Sequence, residues 1–274
     1  MNNEPHSLPL ALAVIELRHP ESAPLSRSHL AAIEEGLREQ TPVYGHEVQT
    51  LVRADFGPMA VNGVTASQVV DFYHFMSRTK ETAVTFGPGL ISVKTTSYKN
   101  WDWLKDLFLT AVNLRNDLTP LVGIERLGCR YIDEIRVPGA KTADWSQWIS
   151  ADLLPPNFSG VRPKLDLDVQ MFHAQYKSEI PNISVTTRYG VLSGPPTVAT
   201  SEYLVRKNSP EDGQFFLLDT DSAWQLGLGE EIRDFDLEDL VSRVDDLHSL
   251  TKNIFEYSIT EKLRDAIFSK GAAK

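Results

Sequence analysis

Apolar residues run almost unbroken through LALAVIELR (10–18), the pattern of a central strand covered on both faces. Pro20 and Pro24 close it. Ser26 then stands as an N-cap ahead of Leu30, Ile33 and Leu37 at helical spacing, and Pro42 stops the helix. Alternation marks strands at 44–56, 69–77, 82–86 and 90–96, the last two joined by the Gly87-Pro88-Gly89 turn. The stretch 98–115 sets Trp101, Leu104, Phe108 and Ala111 or Val112 on one face of a helix.

The same order is predicted a second time. VGIERLGCRYIDEIRV (122–137) reads as a strand, and 143–154 as a helix broken by Pro155 and Pro156. Four strands are expected at 166–175, 183–192, 201–207 and 214–220. A final helix of about 30 residues follows over 236–268, some 45 Å long. Leu237, Leu240, Val244, Leu247, Ile254, Ile259, Leu263 and Ala266 keep its apolar face, and Asp236, Glu238 and Asp239 supply an acidic first turn. Each half is thus β-α-β4-α, an internal duplication with halves at 1–118 and 119–274 that pair edge to edge in one continuous domain. The expected class is α+β, with antiparallel curved sheets packed on long helices. Its element order is similar to helix-grip and TATA-box-binding-protein-like folds.

Charge and composition narrow the function. With 37 acidic against 27 basic residues the net charge is −10, which disfavours a general nucleic-acid binder. No apolar run reaches the ~18–20 residues that cross a bilayer, so no membrane role is expected. The start has no basic region before its apolar stretch and reads poorly as a signal peptide. The single cysteine, Cys129, suits a reducing compartment. A soluble cytoplasmic protein is the expectation.

No GxxxxGK[ST], GxGxxG, HExxH, CxxC or GxSxG is present, which removes the commoner nucleotide-binding, zinc-hydrolase, redox and serine-hydrolase readings. No cofactor is expected. The strand at 122–137 carries the candidate surface. Period two puts Arg126, Gly128, Arg130 and Ile132 on one face and Leu127, Cys129, Tyr131 and Asp133 on the other. Two guanidiniums flanking a glycine could clamp a carboxylate or phosphate, the glycine admitting a ligand to the backbone. The alternative is that both arginines pair with acidic side chains on neighbouring strands. Asp166 with Asp168 and Asp219 with Asp221 share strand faces and could hold Mg²⁺ or Ca²⁺, although such pairs are more often solvated. His74 and His173 have no ligand-like spacing and read as structural. Cys129 reads as a small core residue, and the tryptophans as core caps.

ERLGCRYIDEI, the LLDTD strand and the tail FEYSITEKLRDAIF resemble a sporadically distributed bacterial protein family of unknown function. Its members share an RxGxRYI strand, here Arg126, Gly128, Arg130, Tyr131 and Ile132, and a C-terminal helix, here Phe255, Ile259, Thr260 and Leu263. Cys129 and Asp133 stand where the resemblance leads one to expect an aliphatic residue and an Asn. The resemblance implies an accessory gene, as in mobile or defence-related loci, and carries no activity. The leading expectation is a non-enzymatic interaction module, of the immunity, antitoxin or defence-associated kind, whose partner is another protein or a second copy. Arg126 and Arg130 would anchor that partner. The alternative is a sensor holding a small anionic ligand between sheet and helix near Arg126, Arg130 and Arg188. A metal-dependent enzyme built on the Asp pairs ranks last.

Overall fold

The structure, a computed structural model, describes residues 9–53, 66–137, 144–156, 158, 161–162 and 168–268. Strand β1 (Leu10–Arg18) leads into helix α1 (Arg27–Leu37), strands β2 (Val43–Arg53), β3 (Ala66–Met76), β4 (Thr82–Gly87) and β5 (Leu90–Thr95), and helix α2 (Trp101–Leu118). Strand β6 (Arg126–Ile135) follows, then 3₁₀ turns at Trp145–Gln147 and Ala151–Leu153. Strands β7 (Phe172–Lys177), β8 (Ile183–Gly194) and β9 (Gly213–Gln225) precede helices α3 (Leu237–Ser258) and α4 (Glu261–Phe268).

All nine strands of the described residues form one sheet in the order β2-β3-β4-β5-β1-β6-β9-β8-β7. Every neighbouring pair is antiparallel. The fold is α+β, and the β1–β6 ladder joins its two halves into a continuous sheet. In each half the last strand returns beside the first, β5 against β1 and β9 against β6.

All four helices of the described residues pack on the same face. Ile33 and Leu37 of α1, Leu104 and Phe108 of α2, and Leu240, Val244 and Leu247 of α3 share one core with Ala13, Ile15, Val93, Leu127 and Cys129 of the sheet. Leu263 of α4 joins Ile135, Phe216 and Leu218 in a second core on that face. Strand alternation dictates this arrangement. Odd-numbered residues of β6 enter the helix-covered core, and even-numbered ones near its start face away. β1 is central as expected but covered on one side only: Ala13, Ile15 and Leu17 are buried, whereas Leu12, Val14 and Glu16 between them are half-exposed.

Local signals set the helix starts. Ser26 accepts from the His29 amide in a capping box, and Asn100 accepts from the Trp103 amide. Asp236 accepts from the amides of Glu238 and Asp239. Replacing Asp236 by alanine strips this cap, and the expected result is a loss of about 1 kcal/mol in denaturant unfolding.

Tertiary contacts overrule three expectations. The long final helix breaks because Ile259 leaves the helix in extended conformation and bridges to Ile149. The Ser150 amide donates to the Ser258 carbonyl and the Thr260 amide to the Trp148 carbonyl. The same docking leaves the predicted 143–154 helix as short turns; Ala143 itself lies outside the described residues. The predicted strand at 201–207 forms no ladder with any strand of the sheet. It belongs to a strap, 196–206, that crosses the other face of the sheet, so the second half has three strands after β6 and not four. Residues 54–56 and 166–167 of two other predicted strands lie outside the described residues.

Candidate functional site

The face without helices carries charge. Arg126, Gly128 and Arg130 of β6 lie there beside Glu16 of β1, Asp219 and Asp221 of β9 and Arg188 of β8, as their registers require. Arg130 grips Asp219 with both prongs, Nε and NH2 each donating at 2.7 Å, and Arg188 donates to the same carboxylate at 3.0 Å. Arg126 donates to Glu16 at 3.2 Å and to Asp221 at 3.3 Å, and Arg18 donates to Glu16 at 2.9 Å. The result is a ladder of ion pairs across four adjacent strands.

Both sequence arginines are therefore paired with acidic side chains of neighbouring strands. Gly128 has a local role too: a Cβ there would lie 2.7 Å from Arg126 NH1. The glycine makes room for the guanidinium of Arg126, which folds back over it. Asp219 is 5 % exposed on its side chain, whereas Arg130 and Arg188 keep 39 % and 42 %. The carboxylate is sunk and the cations stand above it. Pairing with Asp219 holds the Arg130 guanidinium above its ordinary pKa. Burial raises the Asp221 carboxyl, against the lowering pull of Arg126 and Arg130.

Lys94 of β5 opens on the same shallow concavity of about 500 Å³ as Arg18, Arg126 and Arg130. The ladder holds Arg18, Arg126, Arg130 and Arg188 against Glu16, Asp219 and Asp221. With Lys94 counted, this cluster holds five cations against three carboxylates although the chain as a whole is at −10.

One end of the face is roofed by the strap. Val198 packs on Ala11, Ile132, Phe215 and Leu217. The Tyr203 ring stacks on His74 at 4.1 Å, and its hydroxyl donates to the His46 carbonyl. Glu134 at the end of β6 latches the strap: its Oε1 accepts from the amides of Thr197 and Val198. Arg206 NH1 lies 2.9 Å and Arg136 NH2 3.6 Å from its Oε2, close enough for charge pairing but without hydrogen-bond alignment. Glu134 and Arg206 sit where strand periodicity alone offers no signal.

The remaining candidates resolve locally. His74 sits against Thr85 at 2.9 Å and Glu47 at 3.2 Å, whereas His173 is exposed on the edge strand β7. Cys129 is fully buried and burial drives its thiol far up. On the helix side, the Tyr131 hydroxyl meets His248 Nδ1 at 2.9 Å. Burial raises that phenol steeply and lowers His248 to about 4, so neither exchanges a proton near neutrality. Asp219 and Asp221 are committed to arginines. Asp168 is exposed, and Asp166 lies outside the described residues. Among the described residues no group of three His, Cys, Asp or Glu is placed to hold a metal.

An apolar groove does open between α3 and the sheet, walled by Val185, Tyr189, Leu218 and Ile254. Arg126, Arg130 and Arg188 are on the opposite face, so a ligand held between sheet and helix does not reach them. No helix among the described residues is long and apolar enough to cross a membrane.

No protein-family model matches the chain, and no curated protein matches it. Fold and site define the class of protein directly: a two-layer α+β protein with one helix-covered sheet face and one open, ion-paired face.

Proposed function

We propose that the chain is a non-enzymatic interaction module that docks an acidic surface of another protein on its open sheet face. The observation that carries this reading is the local excess of cations on the sheet face that no helix of the described residues covers, in an acidic chain. Arg130 and Arg188, with Lys94, are the anchoring side chains, and Arg126 supports them through Glu16 and Asp221. Guanidiniums already held by carboxylates lose little side-chain freedom on binding, which favours a specific contact. A second copy would bring like charge to this face, so a different protein is favoured over a homodimer formed through it. The carboxylates of the ladder repel a phosphate backbone, which keeps nucleic acid disfavoured. The resemblance supports an immunity, antitoxin or defence-associated role, and the single cysteine supports a cytoplasmic setting. The matching return of β5 to β1 and β9 to β6 supports an internal duplication of the TATA-box-binding-protein-like type.

The test is native mass spectrometry of the protein purified gently from its own host, repeated with a Lys94→Glu, Arg188→Ala variant. Asp219 keeps its two-pronged bond to Arg130 in that variant, so folding is preserved. A stoichiometric protein that is lost from the variant, and kept by a Lys252→Glu control on α3, is the expected result. A partner retained by the variant, or nucleic acid in place of protein, sinks the reading.

A further inference from the structure

Arg126, Arg130, Arg136, Arg188 and Arg206 all sit against carboxylates. Arg115, in the last turn of α2, does not. It is 2 % exposed, and among the described residues its guanidinium meets only neutral groups. NH1 donates to the Thr119 carbonyl at 2.6 Å and NH2 donates to the Ser22 hydroxyl. A guanidinium offers five N–H donors and stays charged at any physiological pH. Position near a helix C-terminus favours a cation, but a buried charge without a counter-ion remains costly.

A cavity of about 210 Å³ opens onto Arg115 between the 20–25 loop, the 69–73 stretch of β3 and the turn at Gly87 and Pro88. That is smaller than the ~300–1,000 Å³ of drug-sized sites and suits a compact group. Of the two carboxylates at its walls, Asp71 is engaged by His46 at 2.8 Å and Glu21 is exposed to solvent. A second buried group points the same way. His19 is 2 % exposed, its Nδ1 lies 2.8 Å from the Pro20 carbonyl, and its Nε2 has no hydrogen-bond partner among the described residues. Burial and the nearby Arg115 charge both hold its imidazole below the ordinary pKa. Arg115 thus lines a cavity whose carboxylates do not pair with it, and His19 lies close enough to feel its charge.

We propose that this cavity binds a small anion, a phosphate or carboxylate group, as the counter-ion of Arg115. The site is separate from the open face, and its test does not depend on a protein partner. The intact protein is titrated with inorganic phosphate, and separately with acetate, against sodium chloride at matched ionic strength.

At about tenfold excess over Kd, the preferred anion is expected to raise Tm by about 2–3 °C, with chloride inert. In NMR the His19 ring should titrate at higher pH once the anion is bound. Phosphate alone acting identifies a phosphate-type ligand, and acetate acting equally identifies a carboxylate. Arg115→Met should abolish the shift. Should that variant fail to fold, Ala23→Phe fills the cavity mouth without touching the guanidinium and should abolish it too. An equal response to chloride, or a shift that survives in Ala23→Phe, overturns the proposal and leaves Arg115 as a helix-end cap.

Discussion

Replacing Glu134 by alanine is expected to cost about 3–5 kcal/mol of stability. On a chain of this size that is a fall in Tm of roughly 5–9 °C. The carboxylate is fully buried on its side chain and faces Arg206 and Arg136, while the amides of Thr197 and Val198 point at its other oxygen. Its removal strands two guanidiniums and two N–H donors together. The strap from 196 to 206 should then lift from the sheet and uncover Ile132, Phe215 and Leu217. Limited proteolysis checks this: cleavage at 196–206 should precede global unfolding in Glu134→Ala and not in the parent. Glu134→Gln keeps acceptor and shape but loses the charge, so an intermediate loss is expected. Parent-like stability in both variants would show that the strap is held by its apolar contacts alone.

Relative to Asp133→Asn, the parent should lose stability as pH rises from about 4 to about 8, while the buried histidines contribute the opposite slope to both proteins. Asp133 is 5 % exposed, and burial, followed by the nearby Asp219 charge, pushes its carboxyl up to about 8. The unfolded chain releases this proton near the ordinary value of 3.8. Between the two values the folded state binds more protons than the unfolded, so each step up in pH favours unfolding. Below the window both states are protonated; above it both are ionised. An asparagine has the same shape and no charge to bury. At pH 8 the variant should be more stable than the parent by roughly 2–5 kcal/mol, with little difference at pH 4. Urea denaturation at pH 4, 6 and 8 settles the matter. An Asp133→Asn protein that is less stable at pH 8 would mean that the ionised carboxylate is held by a favourable partner.

Strand and helix periodicity carried much of this fold. The alternation in β6 put Arg126, Gly128 and Arg130 on one face and Leu127, Cys129 and Tyr131 on the other, and the sheet has them there. Ser26 and Asp236 cap helices because a cap is a contact within three residues. The fates of 143–154, 201–207 and the break at Ile259 were not legible. Each is decided by a partner more than a hundred residues away in the chain, or by the lack of one. Residues 201–207 have strand-like alternation, yet the sheet ends elsewhere and their polar groups find Lys80 and Thr96.

The same division runs through the sites. That Arg126 and Arg130 share a face follows from a period of two residues, a property of the backbone that needs no partner. That they are neutralised by Asp221 and Asp219 follows from which strand lies beside β6, and nothing in the stretch 122–137 says so. Arg115 reads from sequence as one more basic residue at a helix end. Only the packing of the 20–25 loop over α2 buries it away from every carboxylate of the described residues. Periodicity fixes which way a side chain points; whether its charge is answered depends on what folding brings opposite to it, because a salt bridge extends only about 4 Å.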